Sequence, residues 1–285
     1  TGASRVSATF DNFDVPGLIT LLSGRVVPLA SNATGKAELA FTGTDLSTMT
    51  GGINARLLGA PPAAGSDLTP LSGDLAITAN RGLFQIQQAS LQTTATKLSA
   101  TGQFSLDHDS NLRIDLASTD ATELQRVLIS SGAIPELEEQ FHTYGIDLGG
   151  KLVFNGTLQG ALKDPILNGH AELGSLIVNG RDLGSLTANL ASTAAEIHVN
   201  DGRLAQTGGG GALFTLVVPR TGTDNISIDA TLDRMNAGNM IAALPLKETR
   251  DQFGDTQADA SGALKITGLP NKMSGTADLH FGPGR

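Results

Sequence analysis

Few residues in this chain are equipped for chemistry. "SLDHDSNLR" (residues 105–113) sets Asp107, His108 and Asp109 side by side, and carboxylates with an imidazole are the donors a zinc-like ion takes. Consecutive strand residues point to opposite faces, so three in a row cannot converge, and no further ligand follows; a solvated hairpin turn is expected there. His142, His170, His198 and His280 are scattered and form no HExxH pattern. "TGGGGALF" (207–214) has the glycines of a phosphate loop without its Lys-Ser/Thr, and reads as a bulge or turn. Glu138-Glu139 sit in a polar connector, and no Gly-x-Ser-x-Gly elbow occurs. The absence of Cys removes thiolate sites, catalytic thiols and disulfides. The sequence therefore predicts no catalytic residue, no metal ligand and no cofactor site: not an enzyme.

The bulk composition turns attention to the scaffold. Apolar residues make up 40% of 285, but aromatics only 4%, with no Trp and one Tyr, Tyr144. Rings bury the most area per residue, so a Leu/Ile/Val/Ala interior suits a thin, repetitive core. The 35 glycines fall between alternating segments and read as turn chemistry. A net charge of −9 without any basic cluster predicts no nucleic-acid partner. The longest apolar stretch, "GALFTLVV" (211–218), is too short for a membrane-spanning helix. "TGASRVSATF" lacks the features of a signal peptide. Both ends of the sequence read as strand, so a fragment of a longer protein is expected.

Period-two alternation dominates, the pattern of a sheet with one apolar and one wet face. Leu98, Ala100, Phe104 and Leu106 share a face; Ile226, Ile228, Ala230 and Leu232 oppose Ser227, Asp229 and Thr231; Leu186, Ala188 and Leu190 oppose Thr187 and Asn189. The same alternation marks Leu112/Ile114/Leu116 and Leu152/Phe154/Leu158. Three segments instead carry helical spacing: 12–24, 118–132 and 234–246. Asp14, Asp120 and Asn236 suit their N-caps, and Glu123 completes a capping-box pattern. Leu18/Ile19/Leu22, Leu124/Val127/Leu128 and Met240/Ile241/Leu244 make their apolar stripes. These helices read as caps on a sheet edge in preference to gates.

The cap residues stand 106 and 116 positions apart. A Gly-led strand follows each helix ("GKAELAFTG", "GGKLVFNG", "SGALKITG"), then a second one ("GGINARL", "NGHAEL", "SGTADLHF"). "AIPELEEQFHTYGIDLGG" and "PLKETRDQFGDTQADASG" correspond as charged connectors, each with one Phe. The expectation is one continuous region over 1–285 with repeat units at 12–117, 118–233 and, in part, 234–285. Within "FNGTLQGALKDPILNGHAEL" (154–173), Gly156, Gly160, Gly169 and Asp164-Pro165 are expected to end strands.

"GGKLVFNGTLQGALKDPILNGHAELGSLIVNGRDLGSLTANLA" (149–191) runs Gly-x-Leu-x-h-x-Gly-x-Leu-x-Gly, then Asp-Pro, Gly-x-Ala-x-Leu and "NGRDLGSL". It resembles the AsmA-like and TamB (translocation and assembly module) families, and "DATELQRVL" and "MNAGNMIAAL" resemble the short helical inserts of AsmA-like chains. The similarity runs through most of 7–281 and is densest from 112 to 245. It implies an elongated, repetitive, curled antiparallel or mixed β-sheet (a β-taco or solenoid-like groove) in the periplasm of a Gram-negative bacterium. The same resemblance implies an inner-membrane anchor outside this sequence, an outer-membrane barrel partner, and a role in outer-membrane biogenesis. That role is carriage of phospholipid acyl chains between membranes or assistance to β-barrel assembly.

On that reading an apolar groove is expected along Leu98, Phe104, Leu106, Leu112, Ile114, Leu116, Leu152, Phe154, Leu158, Leu173, Leu186, Ala188, Leu190, Phe214, Leu216, Ile226, Ile228 and Leu232. Bound phospholipid or fatty acyl chains would be its only ligands. Periodicity alone leaves the alternative open: the same faces could pack on one another as a filled β-solenoid or sandwich with a structural or adhesive role.

Overall fold

The computed structural model describes residues 3–17, 20, 26–43, 45–61, 68–105, 108–131, 138, 141–143, 145–161, 164–220, 225–243, 247–269 and 272–282. It is mainly β and divides by contacts into two units, the first Thr1–Pro135 with Phe154–Ile166, the second Glu136–Val153 with Leu167–Arg285.

The first unit holds β1 (Ala3–Asp14), β2 (Leu29–Thr42), β3 (Asp45–Gly59), β4 (Thr69–Pro70), β5 (Ser72–Asn80), β6 (Leu83–Gln92), β7 (Thr96–Ser105), β8 (Ser110–Ser118) and helix α1 (Ala121–Ser131). The division falls inside β9 (Ile146–Gly160), whose last residues belong here. Strands β1, β2, β3, β5, β6, β7 and β8 pair antiparallel in that order, and only the short β4 is parallel, to β2. Alternation puts matching apolar residues opposite one another: Ala8, Ala37, Ile53, Ile77 and Ile86 are successive partners across five strands. Ile86, Ala89 and Leu112 form a small buried cluster, with Phe104, Ile114 and Leu158 packed against it. Phe84 and Phe104, also cross-strand partners, stack with ring centroids 4.9 Å apart.

The second unit continues from the start of β9 through β10 (Ile166–Val178), β11 (Arg181–Asp182), β12 (Ser185–Ser192), β13 (Glu196–Ala205), β14 (Gly211–Pro219) and β15 (Ile226–Asn236). It ends with helices α2 (Ala237–Ala243) and α3 (Lys247–Phe253), β16 (Asp259–Leu269) and β17 (Lys272–Phe281). Here β10, β12, β13, β14, β15, β16 and β17 pair antiparallel in order. Two apolar rows cross the ladder: Leu173–Leu186–Leu204–Ala212–Leu232, and Leu190–Val199–Leu216–Ile228–Ile266. The β10–β11 reversal is Asn179-Gly180, both with positive φ (50° and 76°), the conformation a two-residue type I′ turn needs to match strand twist.

Several expectations are corrected. Gly156 and Gly169 do not end strands but lie within β9 and β10, and β2, β3, β9, β10, β16 and β17 all begin before their expected Gly leaders. Mid-strand glycines are there because neighbouring backbone is close: a Cβ on Gly51 (φ 129°) would sit on the carbonyl oxygen of Glu38 in β2. The connector after residue 246 contains a helix, α3, and "IDLGG" (146–150) is already strand.

At α1, Asp120 caps through Oδ1, which accepts from the Thr122 amide at 3.0 Å. Glu123 does not complete the box. The Asp120 amide donates to Ser118 Oγ, while Glu123 accepts from the Thr93 and Thr96 hydroxyls in the β6–β7 turn. Asn236 Oδ1 accepts from the Asn239 amide at 3.0 Å as the cap of α2. Residues 15–17 and 20 are helical after Asp14, while Leu18, Ile19, Leu22 and Leu244 lie outside the described residues.

The β1–β2 and β15–β16 junctions share a local plan. In each, the first strand carries an extra residue with positive φ (Asn12, 53°; Arg234, 48°) just before its helix. That bulge shifts the register between Phe10 and Phe13 against Gly35 and Ala33, and between Leu232 and Met235 against Gly262 and Ala260.

Candidate functional site

The stretches that could do chemistry are dispersed over turns and the wet face. His108 and Asp109 are exposed beside the β7–β8 turn, and Asp107 lies outside the described residues. Gly208, Gly209 and Gly210 form the β13–β14 turn, with the Gln206 amide donating to the Gly210 carbonyl at 3.1 Å. Glu138 is exposed, and Glu139 lies outside the described residues. Among the described residues, no three His, Asp or Glu side chains gather around a common ion position.

A concave feature of the second unit is apolar. Five successive strands, β13 to β17, contribute one face to a cavity of about 700 Å³. The floor comes from Leu204, Phe214, Leu216, Ile228, Leu232, Leu264 and Ile266; Met235, Met240 and Ile241 close it from β15 and α2, Phe141 from the segment before β9, and Ile146 from the first position of β9. Among the described residues, the 21 that line it are all Ala, Val, Leu, Ile, Met or Phe. Leu183, Leu204, Ala230, Leu232 and Met235 of this lining form a buried cluster with Val178. At the β17 edge Leu279 and Phe281 line the space, and Phe281 remains 64% exposed, so the apolar surface runs out to solvent there.

Alternation sends the charges the other way. Asp229 and Lys265, between the cavity residues of β15 and β16, pair on the opposite face with 2.6 Å between Nζ and Oδ2. Asn189 donates to Asp201 and contacts His170 there too. Among the described residues, the cavity therefore has no charged or polar side chain on its wall. It can take up hydrocarbon by desolvation, and it offers neither a nucleophile nor a proton carrier.

Of the residues expected to line a groove, Phe214, Leu216, Ile226, Ile228 and Leu232 come together on this cavity. Leu173 and Ala188 are buried in the same unit, Leu186 packs on the buried cluster, and Leu190 and Leu152 are half-buried away from the cavity wall. Leu98, Phe104, Leu112, Ile114, Leu116, Phe154 and Leu158 belong to the first unit; Leu112 is buried and the others are half-buried. Leu106 lies outside the described residues.

Met235, Leu183, Leu204, Phe141 and Ile146 are among the lining residues absent from the expected groove. Met235 and Leu204 are hidden by bulges that reverse the alternation, and a lone Phe in a charged connector gives no signal for Phe141. Leu264 and Ile266 could have been found from the alternation in "GALKITG". No protein-family model, no curated protein and no solved structure matches this chain.

Proposed function

We propose that the second unit binds the hydrocarbon chains of lipids, sheltering them from water without chemistry, as a component of a bacterial envelope that moves or holds phospholipid between membranes. The observation that carries this reading is a cavity of about 700 Å³ whose lining side chains, among the described residues, are all apolar. That volume falls within the roughly 300–1,000 Å³ of small-molecule sites. Such sites ordinarily add a few polar groups that fix orientation, and among the described residues no polar side chain lines this one. Each methylene moved from water into the cavity contributes about 0.8 kcal/mol, so part of one acyl chain suffices for appreciable binding. Non-directional contacts hold it, so discrimination among acyl chains is weak.

The resemblance of 149–191 to the AsmA-like and TamB families supports the same role and supplies the envelope setting. A curled groove built of repeats of about 110 residues belongs to this proposal, favoured locally by the matching bulge-and-helix junctions of β1–β2 and β15–β16. The test is organic extraction of the purified chain followed by lipid mass spectrometry, with Ile228→Glu alongside. Wild type is expected to yield phospholipid and the variant far less. Wild-type protein that stays lipid-free after incubation with phosphatidylethanolamine–phosphatidylglycerol vesicles would overturn the proposal.

A further inference from the structure

The floor of the cavity contains one aromatic ring set between two small residues. Phe214 in β14 is paired with Gly202 in β13 and with Ala230 in β15. The ring lies down over Gly202: a Cβ built on that glycine would be 2.6 Å from Phe214 Cζ, 2.7 Å from Cε2 and 2.8 Å from Cε1. Carbon atoms in contact stand about 3.5–4.0 Å apart, so the ring occupies space that any other residue at 202 would claim.

Gly202 reaches this face through a bulge. The register slips between Val199 and Gly202, and Asp201 takes φ 51°. Simple alternation from Val199 would have put Asp201 and Arg203 on the cavity side; the bulge turns both out and brings in Gly202 and Leu204, both buried. The backbone of Gly202 itself is not in the left-handed region, so a side chain is excluded there by the ring and not by φ.

We infer that Phe214, laid flat by Gly202, is the residue that determines the size of hydrocarbon the cavity accepts. The inference rests on the proposed hydrocarbon binding of the same cavity. With the ring against the sheet, the space above it stays open. A methyl group at 202 lifts the ring into that space, and removing the ring deepens it.

The test uses two fluorescent probes, the slim fatty acid cis-parinaric acid and the broader 1-N-phenylnaphthylamine, titrated into the whole chain. Gly202→Ala is expected to weaken both by about tenfold, the scale of one methylene misfit in an apolar pocket. Phe214→Ala is expected to shift preference toward the broad probe by a similar factor, and Phe214→Leu to shift it the same way by less. The double variant Gly202→Ala/Phe214→Ala is expected to recover parinaric acid binding, because no ring remains to be lifted; a merely destabilising substitution would not be rescued. A double variant as weak as Gly202→Ala alone, or an unchanged probe ratio in both Phe214 variants, would overturn the inference while leaving hydrocarbon binding intact. Wild type that binds neither probe would remove the underlying reading as well.

Discussion

Ile228 and Asp229 are adjacent in β15 and face opposite ways, each toward the corresponding residue of β16. Ile228 is paired with Ile266 on the cavity, and Asp229 with Lys265 in the open. One residue step thus separates a desolvated wall from a solvated ion pair. The side chains of Lys265 and Asp229 are 66% and 52% exposed, and an exposed pair contributes at most about 1 kcal/mol. Lys265→Ala is accordingly expected to change the urea unfolding free energy by less than about 1 kcal/mol. Ile228→Glu, which places a carboxylate among methyl groups, is expected to cost about 3 kcal/mol. Equal effects in urea titrations of the two variants would mean that Ile228 does not face an apolar space.

Adjacent glycines in β3 make a sharper test of the close packing between strands. Gly51 has φ 129° and the Glu38 carbonyl where a Cβ would go; Gly52 has an ordinary φ, and its nearest obstacle is the Ile77 carbonyl oxygen at 3.2 Å. Gly51→Ala is expected to destabilise by about 1–3 kcal/mol, and Gly52→Ala by clearly less. Thermal unfolding of the two variants in parallel measures the difference. A reversed order would contradict the registers of β3 with β2 and β5.

These positions also show what the sequence could reveal. The face of β15 was legible because Ile226, Ile228, Ala230 and Leu232 alternate without interruption. Continued one step, the same rule brings Arg234 inward; the bulge at Arg234 instead buries Met235 to 4% exposure. Bulges leave no reliable mark in composition, so every residue beyond one is assigned to the wrong face. Glycine misled for a related reason: next to alternating residues it looks like a turn, yet in β3, β9 and β10 it sits mid-strand. The floor of the candidate site was therefore partly readable. Its closure by Phe141 and Ile146 was not, because it depends on non-local contacts.

Helix α1 separates a local signal from a tertiary one. Asp120 caps the helix itself, so Asp120→Ala is expected to cost about 1 kcal/mol. Glu123 instead ties the helix to the β6–β7 turn through Thr93 and Thr96. Glu123→Ala is expected to lower hydrogen-exchange protection at the Thr96 amide, which donates to Thr93 Oγ1 at 3.0 Å. Loss of protection confined to the first turn of α1 would instead restore the capping-box role.

The central claim, that the apolar face of the second unit shelters lipid hydrocarbon, is tested most directly by site-specific photocrosslinking. A benzophenone amino acid is placed at position 228 or, as control, at position 229, and the protein is irradiated after incubation with phosphatidylethanolamine–phosphatidylglycerol vesicles. Intact-mass spectrometry then reads the adducts. Lipid-mass adducts are expected at 228 and not at 229. Adducts equal at the two positions, or none at 228, would contradict the claim.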